Sequence, residues 1–300
     1  MLNNFKDKKS FLYILILICA LFWGFSFLAT TLALDYGLEP MQLLMLRWSV
    51  AAILFVMLAA FRIIKLNYKG KNLKLLFLVG SLQPCIYSIF ETTGIGMTST
   101  SESSILIATI PLVVLILGIL FFHKPAKPIT IFSIILAFMG VLCCIVFSPG
   151  FSLGGKSIGY IVVMTAVVVG SIYAHYSSRA GEEFSPIELT FGMAIMAAIF
   201  FNIINFAMGY GFGTVKIAVT NMDIFIAVLF LGVGCSCICY IIFNLALAKL
   251  PTARASNLVA NSTTSIGVLS GVIFASDPFG WYTVVGLIMT VTGVWLSTKE

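Results

Sequence analysis

Two charges stand where charge is costly. Arg47 and Glu91 each fall inside a long apolar run, and Glu91 is the one acid well inside such a run. A charge at the centre of a membrane-spanning helix costs roughly 2.5–3.5 kcal/mol on insertion scales, so it needs a partner or a wet cavity. With the chain threaded through a bilayer, both residues come to similar depth on consecutive spans. A carboxylate and a guanidinium placed there can hold a charged or zwitterionic solute, pass a proton, or neutralise one another as a structural ion pair. All three readings stand at this point.

Other polar residues recur at helical spacing. Pro84, Tyr87 and Glu91 follow one another at i, i+3 and i+7, so a kink, a phenol and the acid share one side of a helix. Asn257, Asn261 and Thr264 do the same further on, and such side chains bind either a solute or a neighbouring helix. Ser171, His175 and Ser178 form a third face, on which His175 reads first as a hydrogen-bonded interface residue and second as a proton relay. Trp23 beside Gly24 pairs a bulky ring with a point of close backbone approach, a cavity wall or plain packing. Pro84 and Pro111 lie inside apolar runs and predict kinks. Gly267-x-x-x-Gly271 predicts tight helix packing without chemistry.

The elements that must position these residues follow from composition. Apolar residues make up 60% of the chain and charged residues 9%, with a mean hydropathy of +1.11. A soluble domain carries roughly 25% charged residues. Ten apolar runs are near the ~20 residues needed to cross ~30 Å of hydrocarbon: 11–33, 41–61, 73–95, 103–122, 129–147, 158–178, 187–208, 224–247, 256–275 and 281–296. The first is too long for a signal-peptide core. Of the 17 Lys and Arg, placing both termini in the cytoplasm leaves only Lys156 and Lys216 outside and Arg47 within a span. That matches the positive-inside rule and reads as a multi-pass bacterial inner-membrane protein. The net charge of +6 therefore needs no nucleic acid. The Arg62–Lys74 cluster also suits anionic lipid headgroups. The seven cysteines all lie in apolar runs and read as small packing residues, Cys235-x-Cys237-x-Cys239 included.

Sliding the chain by 153 residues aligns 76–144 with 229–297 without a gap. Matches include Tyr87 with Tyr240, Ser103 with Ser256, Gly118 with Gly271, Pro125 with Pro278 and Gly140 with Gly293. A repeat of five spans is odd, so its second copy sits upside down. Inverted-topology repeats recur in secondary transporters, with the solute site near the midplane between the halves. The expected organisation is an all-α membrane protein of ten transmembrane helices, residues 1–150 forming the first five-helix unit and 151–300 the second, inverted one.

The residues also resemble the EamA-type branch of the drug/metabolite transporter superfamily over nearly the whole chain. The likeness lies in Phe22-Trp23-Gly24-Phe25-Ser26-Phe27, Leu46-Arg47-Trp48, Leu82-Gln83-Pro84-x-x-Tyr87-x-x-x-Glu91, Ser99-Thr100-Ser101, Ile110-Pro111-Leu112 and Ala246-Leu247-x-x-Leu250-Pro251-x-x-x-Ala255. It implies a ten-span, two-repeat carrier of amino acids, nucleosides or similar metabolites. Two departures bear on substrate: His123-Lys124 replaces an acidic–basic pair, and Thr264 replaces a proline of the ninth span.

Two motifs are set aside. Gly150–Ser157 matches the P-loop pattern, but it joins two apolar runs on the outer side, with no strand before it and no access to cytosolic ATP. Asn261-Ser-Thr263 matches a glycosylation acceptor inside a span. The functional expectation is a secondary transporter of a small polar or amphiphilic, amino-acid-like metabolite, an exporter being one form of it, with proton coupling an open possibility and no cofactor or metal called for. The alternatives are a structural or regulatory membrane protein without transport and an intramembrane enzyme. The candidate substrate-binding residues are Trp23, Arg47, Tyr87, Glu91, His175, Asn257, Asn261 and Thr264.

Overall fold

A computed structural model describes residues 9–122, 128–147, 149, 157–250 and 252–296, and the described residues are helical throughout apart from turns. Helix α1 is Lys9–Asp35 and α2 is Pro40–Ala60. Helix α3 covers Leu73–Met97 and α4 joins Thr100–Ile107 to Ile110–Phe122. Then come α5 (Pro128–Val146), α6 (Ser157–Ala180), α7 (Pro186–Ala207) and the short α8 (Gly213–Thr220). Helix α9 covers Met222–Lys249, followed by α10 (Thr252–Phe274) and α11 (Trp281–Leu296). Among the described residues eight helices, α1 to α4, α6, α7, α9 and α10, are long and apolar enough to cross a membrane. The apolar stretches of α5 and α11, Ile131–Cys144 and Trp281–Gly293, are shorter.

Helix starts follow local chemistry. Proline opens α2 and α7, where its missing N–H costs nothing. Reciprocal capping boxes hold three starts: Glu39 with Gln42, Ser99 with Glu102, and Ser185 with Glu188. The Ser99 cap starts α4 at Thr100, ahead of the run expected from Ser103. It carries Glu102, 7% exposed, into the interior, so Glu91 is not the one interior acid.

The proline kinks are present. Around Pro84 the backbone of α3 widens into a π-helix over Ser81–Tyr87, and α4 breaks at Ala108–Thr109 just before Pro111. A second π-helix, Phe230–Cys239, interrupts α9 without any proline. There a Cβ on Gly232 would lie 2.7 Å from Val50 Cγ1 and 3.0 Å from the Arg47 carbonyl, so glycine is what lets α9 pass close to α2.

Tight packing elsewhere uses small residues. Gly24 of α1 abuts Ile266 and Thr263 of α10, Gly267 abuts Ser104, and Gly271 abuts Ser101 and Asp277. Helices α5 and α11 pack chiefly on each other, running antiparallel: Ser133 meets Gly293, Thr290 Oγ1 donates to the Ala137 carbonyl at 3.5 Å, and Cys144 meets Gly286. The thiols of α9 act as packing residues, Cys235 reaching the Phe22 carbonyl, Cys237 that of Ala51 and Cys239 that of Cys19. On one face of the bundle the 61–72 loop is tied to the start of α7. Glu188 there accepts from Lys71 Nζ at 2.6 Å and from the Asn67 amide at 2.8 Å, and the Tyr68 hydroxyl donates to the Glu188 carbonyl at 2.7 Å. Burial and the nearby carboxylate hold the Tyr68 phenol above its ordinary range, protonated and able to donate. The P-loop-like segment up to Lys156, His123-Lys124 and Pro251 lie outside the described residues.

Candidate functional site

A central cavity opens where the kinked helices meet, enclosing about 650 Å³ of atom-free space, part of it open to the outside. Seven helices wall it. Helix α1 gives Trp23, Ser26 and Phe27, α2 gives Arg47, and α3 gives Gln83, Tyr87 and Glu91. From α4 come Ile107 and Ile110, from α6 Gly170, from α9 Tyr240 and Phe243, and from α10 Ser256, Val259, Ala260 and Thr263.

Arg47 and Glu91 do meet here. Nη1 of Arg47 lies 4.0 Å from Oε2 of Glu91, and the two side chains are 5% and 15% exposed. The pair is long, and each partner is held by a neutral group. Tyr87 donates its hydroxyl to Glu91 Oε1 at 2.8 Å, and Arg47 Nε donates to Ser236 Oγ at 2.7 Å. Tyr87 and Glu91 are four residues apart at the end of the π-helix, so the widened turn sets the phenol beneath the acid. Gly170 leaves room for that ring, since a Cβ there would lie 3.0 Å from it. Ser236 sits in the second π-helix, one turn beyond Gly232. Both irregular segments thus deliver groups to one charged end of the cavity, a placement π-helices favour at functional sites.

The other end is neutral. Gln83 Nε2 donates to the Tyr240 hydroxyl at 2.7 Å, linking α3 to α9. The two ends separate along the helices as follows. Tyr87 is level with Gly170, and Ser171 donates to the Ile110 carbonyl, so Tyr87 and Ile110 share a level. Helix α10 runs antiparallel to α4, Thr264 donating to the Ser104 carbonyl. Six residues along α4 from Ser104 to Ile110 bring α10 back to the region of Val259. Glu91 therefore lies toward the Thr263 end of α10 and Gln83 toward the Ser256 end. Seven residues at about 1.5 Å rise put Ser256 and Thr263 about 10 Å apart. Trp23 closes the side, edge-on to Tyr240 and Phe243 with centroids 5.4 and 5.2 Å away, its indole N–H donating to the Cys235 carbonyl at 3.3 Å.

Of the eight candidate residues, the cavity gathers Trp23, Arg47, Tyr87 and Glu91. His175 is elsewhere: its Nε2 lies 3.0 Å from the Val114 carbonyl, and with Ser171 and Ser178 it ties α6 to α4 and α9. Thr264 is spent on Ser104, Asn257 is buried outside the lining, and the Asn261 side chain lies outside the described residues. The face of α10 that lines the cavity is one residue away, at Ser256 and Thr263. Gln83, Tyr240 and Ser236 were also missed. The match of Tyr87 with Tyr240 at an offset of 153 is the pattern that points to one of them. Asn244, 153 residues after Glu91, is buried in a neutral cluster, accepting from Tyr173 at 2.5 Å and Ser177 at 2.8 Å and donating to Thr190 at 3.0 Å.

The chain is similar to known proteins. The EamA-like transporter family matches twice, over residues 10–146 and 157–299. An uncharacterized transporter of Archaeoglobus fulgidus is 23% identical over 290 residues, covering 96% of this chain and 99% of its own. The uncharacterized transporter YcxC of Bacillus subtilis is 22% identical over 297 residues, covering 96% of this chain and 93% of its own. A solved crystal structure, 15% identical, has the same fold with a TM-score of 0.70 over 97% of this chain and 99% of that one. Matched in each half and aligned end to end with transporters, this multi-pass membrane protein belongs to the EamA-like transporter family.

Proposed function

We propose that the protein is a secondary transporter that moves a small polar or amphiphilic solute across the bacterial inner membrane by alternating access. The observation that carries this reading is the cavity itself. It is walled by α1 to α4 from one half and by α6, α9 and α10 from the other, and the long, buried Arg47–Glu91 pair stands at one end of it. In this reading ten helices cross the membrane as two five-helix repeats, 1–150 and 151–300, of opposite topology, both termini are cytoplasmic, and the Glu91 end faces outward. The two separate family matches support the duplication. The antiparallel α5–α11 pair supports the inversion, because Ala137 and Thr290 are equivalent at the offset of 153 and touch each other, as residues on a two-fold axis across the helices must.

Arg47 and Glu91 bind the charged part of the solute, Tyr87 orients the carboxylate, and Trp23 forms a side wall. A thermal-shift screen of purified protein against amino acids, nucleosides, sugars and quaternary amines identifies a ligand, since a bound solute stabilises the folded state by mass action. Transport of that ligand is then measured in proteoliposomes. Glu91→Gln is expected to remain folded and to lose transport. The double change Arg47→Met with Glu91→Leu removes the pair without leaving an unpaired charge. If that variant carries the solute at the wild-type rate, the assignment of the pair to solute binding is wrong.

A further inference from the structure

Ser and Thr hydroxyls inside these helices ordinarily bond back to their own helix. Thr98 donates to the Gly94 carbonyl, Ser133 to Ile129, Thr165 to Ile161 and Thr190 to Pro186, each four residues back. Ser256 and Thr263 do not. They are 2% and 4% exposed, they line the cavity, and their hydroxyl oxygens have no hydrogen-bond partner. A buried polar atom without a partner is uncommon and asks for an explanation, often a group that arrives later.

Resting on the transport reading above, we propose that the cavity takes an elongated solute with a charged or zwitterionic head at Arg47, Glu91 and Thr263 and a neutral hydrogen-bonding group at Ser256, about 10 Å from Thr263 along α10, with Gln83 and Tyr240 on the facing helices. The two unpartnered hydroxyls mark the two ends. Between them the walls are apolar, Val259 and Ala260 on α10 facing a space shared with Ile107, Ile110 and Phe243. Charges line only one end. At the other, Tyr240 accepts from Gln83 and keeps its own proton to donate, so Tyr240 and Ser256 offer hydrogen bonds to a hydroxyl or amide. A second cation or anion placed there has hydroxyls and an amide rather than an opposite charge as its nearest partners and binds less well, while an apolar tail leaves the hydroxyls unpaired.

Three probes with one zwitterionic head separate these cases: Nε-acetyl-L-lysine, with an apolar linker and an amide tail; L-norleucine, with the linker alone; and L-lysine, with a cationic tail. Purified full-length protein is reconstituted in proteoliposomes, and each compound is measured by counterflow competition. Nε-acetyl-L-lysine is expected to bind about fivefold more tightly than L-norleucine, the worth of about one net hydrogen bond, and L-lysine least tightly. Ser256→Ala and, independently, Tyr240→Phe should each bring the ratio of the first two close to one, whereas Thr263→Val should weaken both alike. Thr264→Val, on the neighbouring face, should keep the wild-type ratio. Equal affinities in the wild type, or a ratio that survives both Ser256→Ala and Tyr240→Phe in monodisperse protein, overturns the proposal. If none of the three binds but a screened solute moves in a Glu91-dependent way, the head-and-tail assignment falls and the transport reading stands. If no solute moves at all, both fall.

Discussion

Gly140 and Gly293, 153 residues apart, sit in matching settings in the α5–α11 pair. A Cβ on Gly140 would lie 2.7 Å from the Gly286 carbonyl oxygen and 2.7 Å from the Thr290 nitrogen, and one on Gly293 would lie 2.7 Å from the Ser133 carbonyl oxygen and 2.7 Å from the Ala137 nitrogen. Ser133 and Gly286 are themselves equivalent at that offset, as are Ala137 and Thr290. Backbone cannot yield as a flexible side chain can. Gly140→Ala and Gly293→Ala should therefore each destabilise by about 1–3 kcal/mol, the usual cost of overpacking, and by similar amounts. Thermal unfolding in detergent checks this, and a tolerant Gly293 beside an intolerant Gly140 would contradict the local symmetry.

Orientation gives a second prediction. With both termini in the cytoplasm, a cysteine replacing Lys69 should resist a membrane-impermeant thiol reagent in intact cells, and one replacing Lys216 should react. The seven native thiols are buried, apart from half-buried Cys143, so background labelling is low. The opposite pattern would invert the topology.

The loop latch at Glu188 gives a third. Its carboxylate receives the Asn67 and Ser185 amides as well as Lys71. Glu188→Gln keeps an acceptor for one amide and loses the ion pair, whereas Glu188→Ala strands both amides. The expected order of stability is wild type, Gln, then Ala, with about 2–4 kcal/mol for the last from buried donors left unsatisfied. Equal melting temperatures for the two variants would show that the amides find water.

Thr264→Val should remove the hydrogen bond to the Ser104 carbonyl that joins α10 to α4. Interhelical bonds of this kind contribute about 0.6–2 kcal/mol, so the melting temperature should drop slightly while transport persists. Loss of transport in folded Thr264→Val protein would return that residue to the binding face.

Much of this arrangement was legible in the residues. Arg47 and Glu91 could be paired because charge in an apolar run is rare and depth follows from counting along each span. Pro84 and Pro111 marked the breaks in α3 and α4 for reasons of backbone geometry. The register of α10 was not legible. Ser256 precedes Asn257, and Thr263 precedes Thr264, so two polar stripes lie side by side, and periodicity cannot say which faces inward. The widening of α9 carries no proline and shows only as Gly232-x-Gly234. Glu102 hid at the edge of its apolar run because its interior position depends on a cap three residues earlier, not on hydropathy.

The widened turn over Ser81–Tyr87 sets the angular phase of everything after it in α3. Deleting one residue there would let the helix close to ordinary pitch and leave Ser88–Met97 close to its present phase, because a π turn takes up about one residue more than an α turn. Glu91 would then keep its place at the cavity and Gly94 its packing against Val163. The same deletion in the regular helix just beyond Tyr87 would instead rotate everything after it by about 100° and carry Glu91 off the cavity wall, so the widened stretch is where α3 should tolerate a lost residue best.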